Sequence, residues 1–242
     1  MKIIHSLLFA ICLIVSTGIS AKETRILQKD MVLKYIVNEP TTKTSNTPLI
    51  ILLHGYGSNE GDLFSLVKDL PQEAIILAVR APVTLPNGYA WMPVARFGDK
   101  EDPAAPERSR QLLMQFIDQA AKKYHVPASR IYLLGFSQGA MMSLTIALTQ
   151  PEKTNGIAML SGRLIDETKN KMARPELINK VSIFEAHGTE DQVIPIATGR
   201  EAHAYLTSKN IKTEYHEYKM AHTISGEELL DIKKWFAGNL KK

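Results

Sequence analysis

The stretch "RIYLLGFSQGAMMSL", residues 130–144, runs from an apolar strand into a small-residue helix with one serine at the bend. Within it, Gly135-Phe136-Ser137-Gln138-Gly139 matches the pattern G-x-S-x-G. In so tight a strand-to-helix turn, side chains two residues before and two after the serine would collide, and the strained turn exposes the hydroxyl. The pattern alone also fits an ordinary glycine-rich turn. What favours a nucleophile is the context: a buried strand before it and a small-residue helix after it.

Working outward, the same alternation recurs. "MVLKYIV" (31–37) alternates as a strand does, and "LIILLH" (49–54) is a continuous apolar run, the mark of a strand buried on both faces. The polar connection between them, 40–48, is expected to be a hairpin loop. Residues 60–70 have helical spacing, 74–82 form the next buried strand, and 83–106 are expected to be a long surface loop. A helix over 107–126 precedes strand 130–136, and helix 139–149 follows it. Further strands are expected at 156–162, 181–188 and 212–219, the last at an edge, with helices over 196–210 and 226–240. Apolar strands joined by helices predict a mostly parallel central sheet with helices on both faces, in three layers.

The N-terminus stands apart from this series. "MKIIHSLLFAICLIVSTGISA" carries Lys2, an apolar run from Leu7 to Val15, then small residues up to Ala21. This is the layout of a signal peptide, and the apolar run is short for a membrane span; a retained anchor is the alternative. Residues 1–21 are therefore expected to be removed, leaving 22–242 as a single domain, periplasmic or secreted and without stable membrane insertion. A lipoprotein cysteine is disfavoured by the bulky Ile11 before Cys12. Cys12 is the sole cysteine, so the mature chain would have neither disulfides nor thiol chemistry. Loss of Lys2 takes the formal charge from +4 to +3. Lysines and arginines are scattered, which points away from a nucleic-acid partner.

A serine hydroxyl needs a base, and the base an orienting acid. In open parallel sheets such groups gather at the carboxyl ends of strands. After strand 181–188 comes "HGTEDQVIP", with Glu190 and Asp191 both eligible as the acid. After strand 212–219 comes "MAH", with His222 placed as the base. His203 lies mid-helix, His216 mid-strand and His125 at a helix end, where packing or surface roles suffice. His187 precedes the acid loop and is expected to shape it. Donors for an oxyanion are expected from the backbone N–H of Gln138, directly after the serine, and of Tyr56 in "HGYGSNEGD", where Gly55 and Gly57 permit close approach to a ligand.

Taken in order, "LLHGYGSNEGDL", "RAP", "AWM", "GFSQGAMMSL", "LSGRL", "HGTEDQVIP" and "MAH" resemble the small carboxylesterases and acyl-protein thioesterases of the α/β-hydrolase fold, over nearly all of 49–240. The resemblance implies Ser137 as nucleophile, Asp191 rather than Glu190 as acid, His222 as base, and Tyr56 and Gln138 as oxyanion donors. It implies neither metal nor cofactor. Met92 stands where phenylalanine is more usual, and Trp91 is expected either to line the acyl pocket with it or to pack in the core. Residues 163–176 match no family motif. A signal peptide is unusual for this mostly cytoplasmic group and favours scavenging of esters outside the inner membrane.

The expected activity is that of a serine carboxylesterase acting on short-to-medium acyl esters through an acyl-enzyme, with a small-molecule ester as partner. Thioesters or lysophospholipids are the alternative within the class. A non-catalytic binding protein on the same scaffold is the alternative outside it. The sequence is compatible with a monomer or a homodimer.

Overall fold

The computed structural model describes residues 26–94, 102 and 104–241; the expected signal peptide lies outside the described residues. The chain runs β1 (Tyr35–Asn38), β2 (Leu49–Leu53), α1 (Gly61–Phe64), β3 (Ile75–Val79), β4 (Val83–Leu85), β5 (Gly88–Ala90) and α2 (Ala105–Tyr124). It continues with β6 (Ile131–Phe136), α3 (Gln138–Thr149), β7 (Gly156–Leu160), α4 (Asp166–Lys169) and α5 (Pro175–Ile178). β8 (Ser182–Gly188), α6 (Ile196–Ser208), β9 (Glu214–Tyr218) and α7 (Gly226–Leu240) complete it.

β1, β3, β2, β6, β7, β8 and β9 form one sheet in that spatial order, parallel except for β1. Alternate strand residues feed two separate cores. Ile51, Leu133 and Met159 face α2, α3 and α6, whereas Ile50, Leu134 and Phe184 face α1 and α7. Three layers follow, as expected for strands apolar on both faces. β2 is the clearest case: every residue of Leu49–Leu53 is at most 1% exposed, each contributing roughly 1.5–3 kcal/mol of burial.

Several local expectations are corrected. Residues 40–48 do not close a hairpin, because β1 pairs antiparallel with β3, Tyr35 opposite Val79. A strand apolar on both faces belongs in the middle of the sheet, so β2 sits between β3 and β6, and half-buried β1 takes the edge. β1 is also shorter than 31–37, since the Val32 N–H is taken by Gln119 Oε1 of α2 at 2.8 Å. The helical spacing of 60–70 is broken after Phe64, where the Ser65 hydroxyl turns back to Asp62 O. The supposed surface loop 83–106 contains a hairpin, β4–β5, which turns at Pro86-Asn87 with Gly88 at φ +133°. Asn-Gly between short alternating runs is the signal that would have found it. Residues 163–176 hold α4 and bury Leu164 and Ile165. Among the described residues no helix is long and apolar enough to cross a membrane.

The Glu228 carboxyl group lies inside the core without a hydrogen-bond partner among the described residues. Ser225 caps α7, its Oγ accepting the Glu228 N–H at 3.1 Å. The Glu228 side chain is fully enclosed, with neither oxygen in hydrogen-bonding geometry among the described residues. Burial pushes its pKa up to about 8, against a smaller opposing pull from the Ser225 backbone. Because the folded value exceeds the ordinary 4.5, the unfolded chain ionises first as pH rises. Stability is therefore full below about pH 4.5 and falls as pH climbs towards about 8. Glu228→Gln preserves the Ser-x-x-Gln start of a capped helix. It is expected to gain stability over the wild type progressively across that window, by up to ~1.4 kcal/mol per pH unit. Urea midpoints of the two proteins measured against pH check this, and a pH-independent difference would contradict it.

Candidate active site

The sheet order reverses at β2: the chain leaves it first for β3 on one side, and later places β6 on the other. At such a switch point the loops beyond the two strands diverge and leave a crevice. Leu53 pairs with Gly135 in the parallel register, so the segment after β2 and the turn after β6 emerge side by side. The turn is held by close backbone contacts. A Cβ on Gly139 would lie 1.9 Å from Leu53 O, and one on Gly135 would lie 2.2 Å from Gly139 O. Between them Ser137 adopts φ 55° and ψ −119°, a conformation costly for a residue with a side chain. Its N–H is anchored to Leu160 O of β7 at 2.9 Å.

The Ser137 hydroxyl lies 3.0 Å from His222 Nε2, and His222 Nδ1 lies 2.6 Å from Asp191 Oδ2. A carboxylate only accepts, so Nδ1 carries the proton and Nε2 is free to accept from the serine. Asp191 has no exposed side-chain surface. Burial by itself would raise its carboxyl, but the His222 bond and the N–H groups of Ile194 and Val193 outweigh it and hold the group below the usual carboxylate range. Glu190, the rival acid, is exposed and contributes its backbone N–H to Met220 O. The Phe136 ring packs 4.8 Å from the His222 ring, centroid to centroid.

Gly55 lies against Ser137, since a Cβ there would be 3.3 Å from Ser137 Cβ; Tyr56 follows directly. Gln138 starts α3, where N–H groups have no helical acceptor. Gly55 thus lies against one side of Ser137, and Gln138 follows the serine directly. A cleft of about 480 Å³ opens beside Tyr56 and Gly57, walled by Leu85, Pro86, Pro93 and Val94. On the other side of His222 a smaller cleft of about 210 Å³ is lined by Phe136, Leu66 and Ile224.

Sequence reasoning missed how this region is tied together. The Gln138 side chain is buried and clamps the strip after β5: Oε1 accepts from the N–H groups of Trp91 at 3.0 Å and Met92 at 3.3 Å, and Nε2 donates to Met92 O at 2.9 Å. The Trp91 indole donates to His54 O at 3.0 Å, and Ser109 of α2 donates to Trp91 O. His54 gives its Nδ1–H to Gly55 O and accepts the Ala81 N–H at Nε2; burial pushes its imidazole down, towards the neutral form. Trp91 is wholly enclosed and Met92 only 8% exposed, so Trp91 belongs to the core and Pro93 and Val94 line the cleft in its place. Apart from the His54–Gly55 contact, none of these bonds has a local sequence signal, because the partners lie far apart along the chain.

His203, His216 and His125 are held elsewhere. His203 Nδ1 meets Glu185 Oε1 at 3.2 Å, His216 stacks on Phe184, and His125 ends α2 with φ 55°. Among the described residues no group of three or more His, Cys, Asp or Glu side chains could hold a metal ion. A third cavity, about 490 Å³, opens at the opposite end of the sheet beside Arg130, Lys180 and Lys212. There Arg130 donates to Leu240 O at the end of α7, which accounts for a cation at that position.

A model of the phospholipase/carboxylesterase family matches residues 35–240. The acyl-protein thioesterase 1 of Candida albicans is 31% identical over 227 residues, 84% of this chain and 96% of that protein. Among solved structures, a carboxylesterase of Bacillus cereus is similar with a TM-score of 0.72 and 24% identity, over 86% of this chain and 94% of its own. One from Mesorhizobium loti has a TM-score of 0.76 and 18% identity, over 88% and 98%. These two likenesses show the fold, that of the α/β-hydrolases.

The backbone contacts around the turn are testable with methyl groups. Gly139→Ala is expected to destabilise by at least ~2 kcal/mol, because backbone must move to admit the Cβ. Gly238→Ala, in α7 with nothing within 4 Å of a Cβ, is expected to be neutral or to stabilise by up to ~1 kcal/mol. Thermal or urea unfolding of both variants decides whether the elbow is as closely packed as described.

Proposed function

The chain belongs to the phospholipase/carboxylesterase family, and on that premise we propose that it cleaves uncharged esters of short-to-medium acyl length through an acyl-enzyme on Ser137. The observation that carries this reading is the hydrogen-bonded series from Asp191 through His222 to Ser137, with separations of 2.6 and 3.0 Å. As Ser137 Oγ bonds to the substrate carbonyl carbon, its proton passes to His222 Nε2, and the Asp191 carboxylate stabilises the resulting imidazolium. The oxyanion is received by the N–H groups of Tyr56 and Gln138. When the tetrahedral intermediate collapses, His222 returns the proton to the departing alcohol. Water then repeats the sequence on the acyl-enzyme, releasing the acid and restoring Ser137.

Substrate class follows from the cleft. Among the described residues its walls carry no charged side chain and Asn87 is their polar member, and its volume of about 480 Å³ lies within the usual range of small-molecule sites. An apolar acyl group is favoured there over a charged one. A thioester is the second reading, favoured by the thioesterase name of the Candida albicans relative. Residues 1–21 add export, with the mature chain beginning near Lys22.

Nitrophenyl esters of increasing acyl length, assayed beside an acyl thioester, test the reading. The wild type is expected to turn over short and medium chains, and Ser137→Ala to lose nearly all activity and all labelling by a fluorophosphonate. Equal turnover by both proteins would overturn the Ser137 mechanism, and absence of turnover by the wild type would leave a binding protein on this scaffold. Asp191→Asn is expected to lower kcat roughly ten-thousand-fold, with Glu190→Gln unchanged; the reverse would make Glu190 the acid. N-terminal sequencing of exported protein checks the processing site.

A further inference from the structure

The loop that carries Asp191 is exposed on its outer side, with Val193 69% accessible, yet it must hold a carboxylate in one orientation. Its inner side is closed by His187, the penultimate residue of β8, which is 2% exposed. His187 Nε2 lies 2.7 Å from Ile194 O. A carbonyl only accepts, so Nε2 carries a proton and donates. The same nitrogen is 3.5 Å from Asp191 Oδ2, the oxygen bonded to His222. Meanwhile Asp191 Oδ1 accepts the N–H groups of Val193 and Ile194 at 2.8 and 2.9 Å. Ile194 is thus gripped on both sides, its N–H by the acid and its carbonyl by the histidine.

The imidazole has little room to turn. Gly199 of α6 packs on its far edge, where a Cβ would lie 2.5 Å from Nδ1. On β9 the cross-strand neighbour of His187 is Glu217, itself paired with Arg200 of α6. The charged and titratable groups around the ring are therefore Asp191, Glu217 with Arg200, and His222 beyond Asp191.

We propose that His187 is a positioning residue of the hydrolytic reaction, whose Nε2–H fixes the Ile194 peptide and thereby aims the Asp191 carboxylate at His222 Nδ1. This inference rests on reading Ser137, His222 and Asp191 as the reacting groups. Without the donor, the Ile194 carbonyl is left unpaired in a buried position and the acid loop relaxes away from β8. The carboxylate then meets His222 less squarely, and the imidazolium formed during proton transfer is less stabilised.

The test compares His187→Phe, which keeps a ring and removes the donor, with His187→Gln, whose side-chain amide N–H takes the place of Nε2–H. Both are assayed for kcat, KM and the pH dependence of kcat/KM on a nitrophenyl butyrate ester, beside the wild type and Ser137→Ala. For folded His187→Phe, kcat is expected to fall about 10- to 100-fold, the scale of a sub-ångström to ångström misplacement. KM stays nearly constant and the acidic limb of the profile moves to lower pH. His187→Gln is expected to recover most of the loss. A merely structural histidine would alter stability without moving that limb. The inference is overturned if folded His187→Phe keeps kcat within about 3-fold of wild type, or if the glutamine variant is as impaired as the phenylalanine one. If His187→Phe does not fold, Gly199→Ala, which presses on Nδ1 without removing the donor, is expected to show the same limb shift, and an unchanged profile there overturns the inference. Activity remaining in Ser137→Ala would instead defeat the functional reading itself, which separates the two failures.

Discussion

The contact between the Cα of Gly139 and the carbonyl of Leu53 is the constraint from which the rest of the site follows. It lodges the first turn of α3 against the end of β2, leaving Ser137 to absorb a positive φ. Because β2 and β6 pair in register, Leu53 opposite Gly135, the segment His54–Gly57 emerges beside the serine. A side chain at position 139 would force the end of β2 and the turn after β6 apart. The parallel register continues outward through β7, whose Leu160 carbonyl anchors the Ser137 N–H, to β8, which ends where the acid loop begins. Strand ends aligned on one edge of a sheet give short loops a shared destination.

The cleft wall is tied to this same turn. Gln138 engages its side-chain amide with the peptides of Trp91 and Met92. The Trp91 indole reaches His54 O, and Gly57 bonds to Tyr89 O. The nucleophile turn, the donor loop and the β4–β5 hairpin are therefore cross-linked by buried hydrogen bonds, each more costly to leave unmade than an exposed one. A cleft built this way is preformed, which spares the reaction the entropy of ordering its walls.

Three buried carboxyl groups show how donor supply decides ionisation. Asp191 and Glu185 are both desolvated, Glu185 the more deeply, and burial alone would raise both. Asp191 receives His222 and two backbone N–H groups and is driven down, towards the charged form. Glu185 receives His203 and Thr213 only, and remains raised. Glu228, with a weak pull from Ser225 alone, is pushed up to about 8. Among the three, the group at the candidate site is the one the fold keeps negative, as a partner for an imidazolium must be.

Much of this was legible in the chain itself. Continuous apolar runs at 49–53, 131–136 and 156–160 declared a sheet buried on both faces, and the glycines around Ser137 declared a turn too tight for side chains. Asp191 and His222 follow later strands, so loop position alone made them eligible, although separating Asp191 from Glu190 needed the resemblance to a family. Local pattern could not show that β1 pairs with β3, because which strand takes the middle depends on how all seven share two cores. Nor could it show that Trp91 is core while Pro93 and Val94 face the cleft, or that His187 grips the peptide of Ile194. Periodicity and turn chemistry act over a few residues, and the sequence by itself determined whatever depends on them: the elements, the elbow and the eligible groups. The pairing of Gln138 with Trp91, of Asp191 with His222 and of Gly139 with Leu53 was decided only by the tertiary structure, since such bonds join atoms from 31 to 86 residues apart that meet only when the sheet is closed.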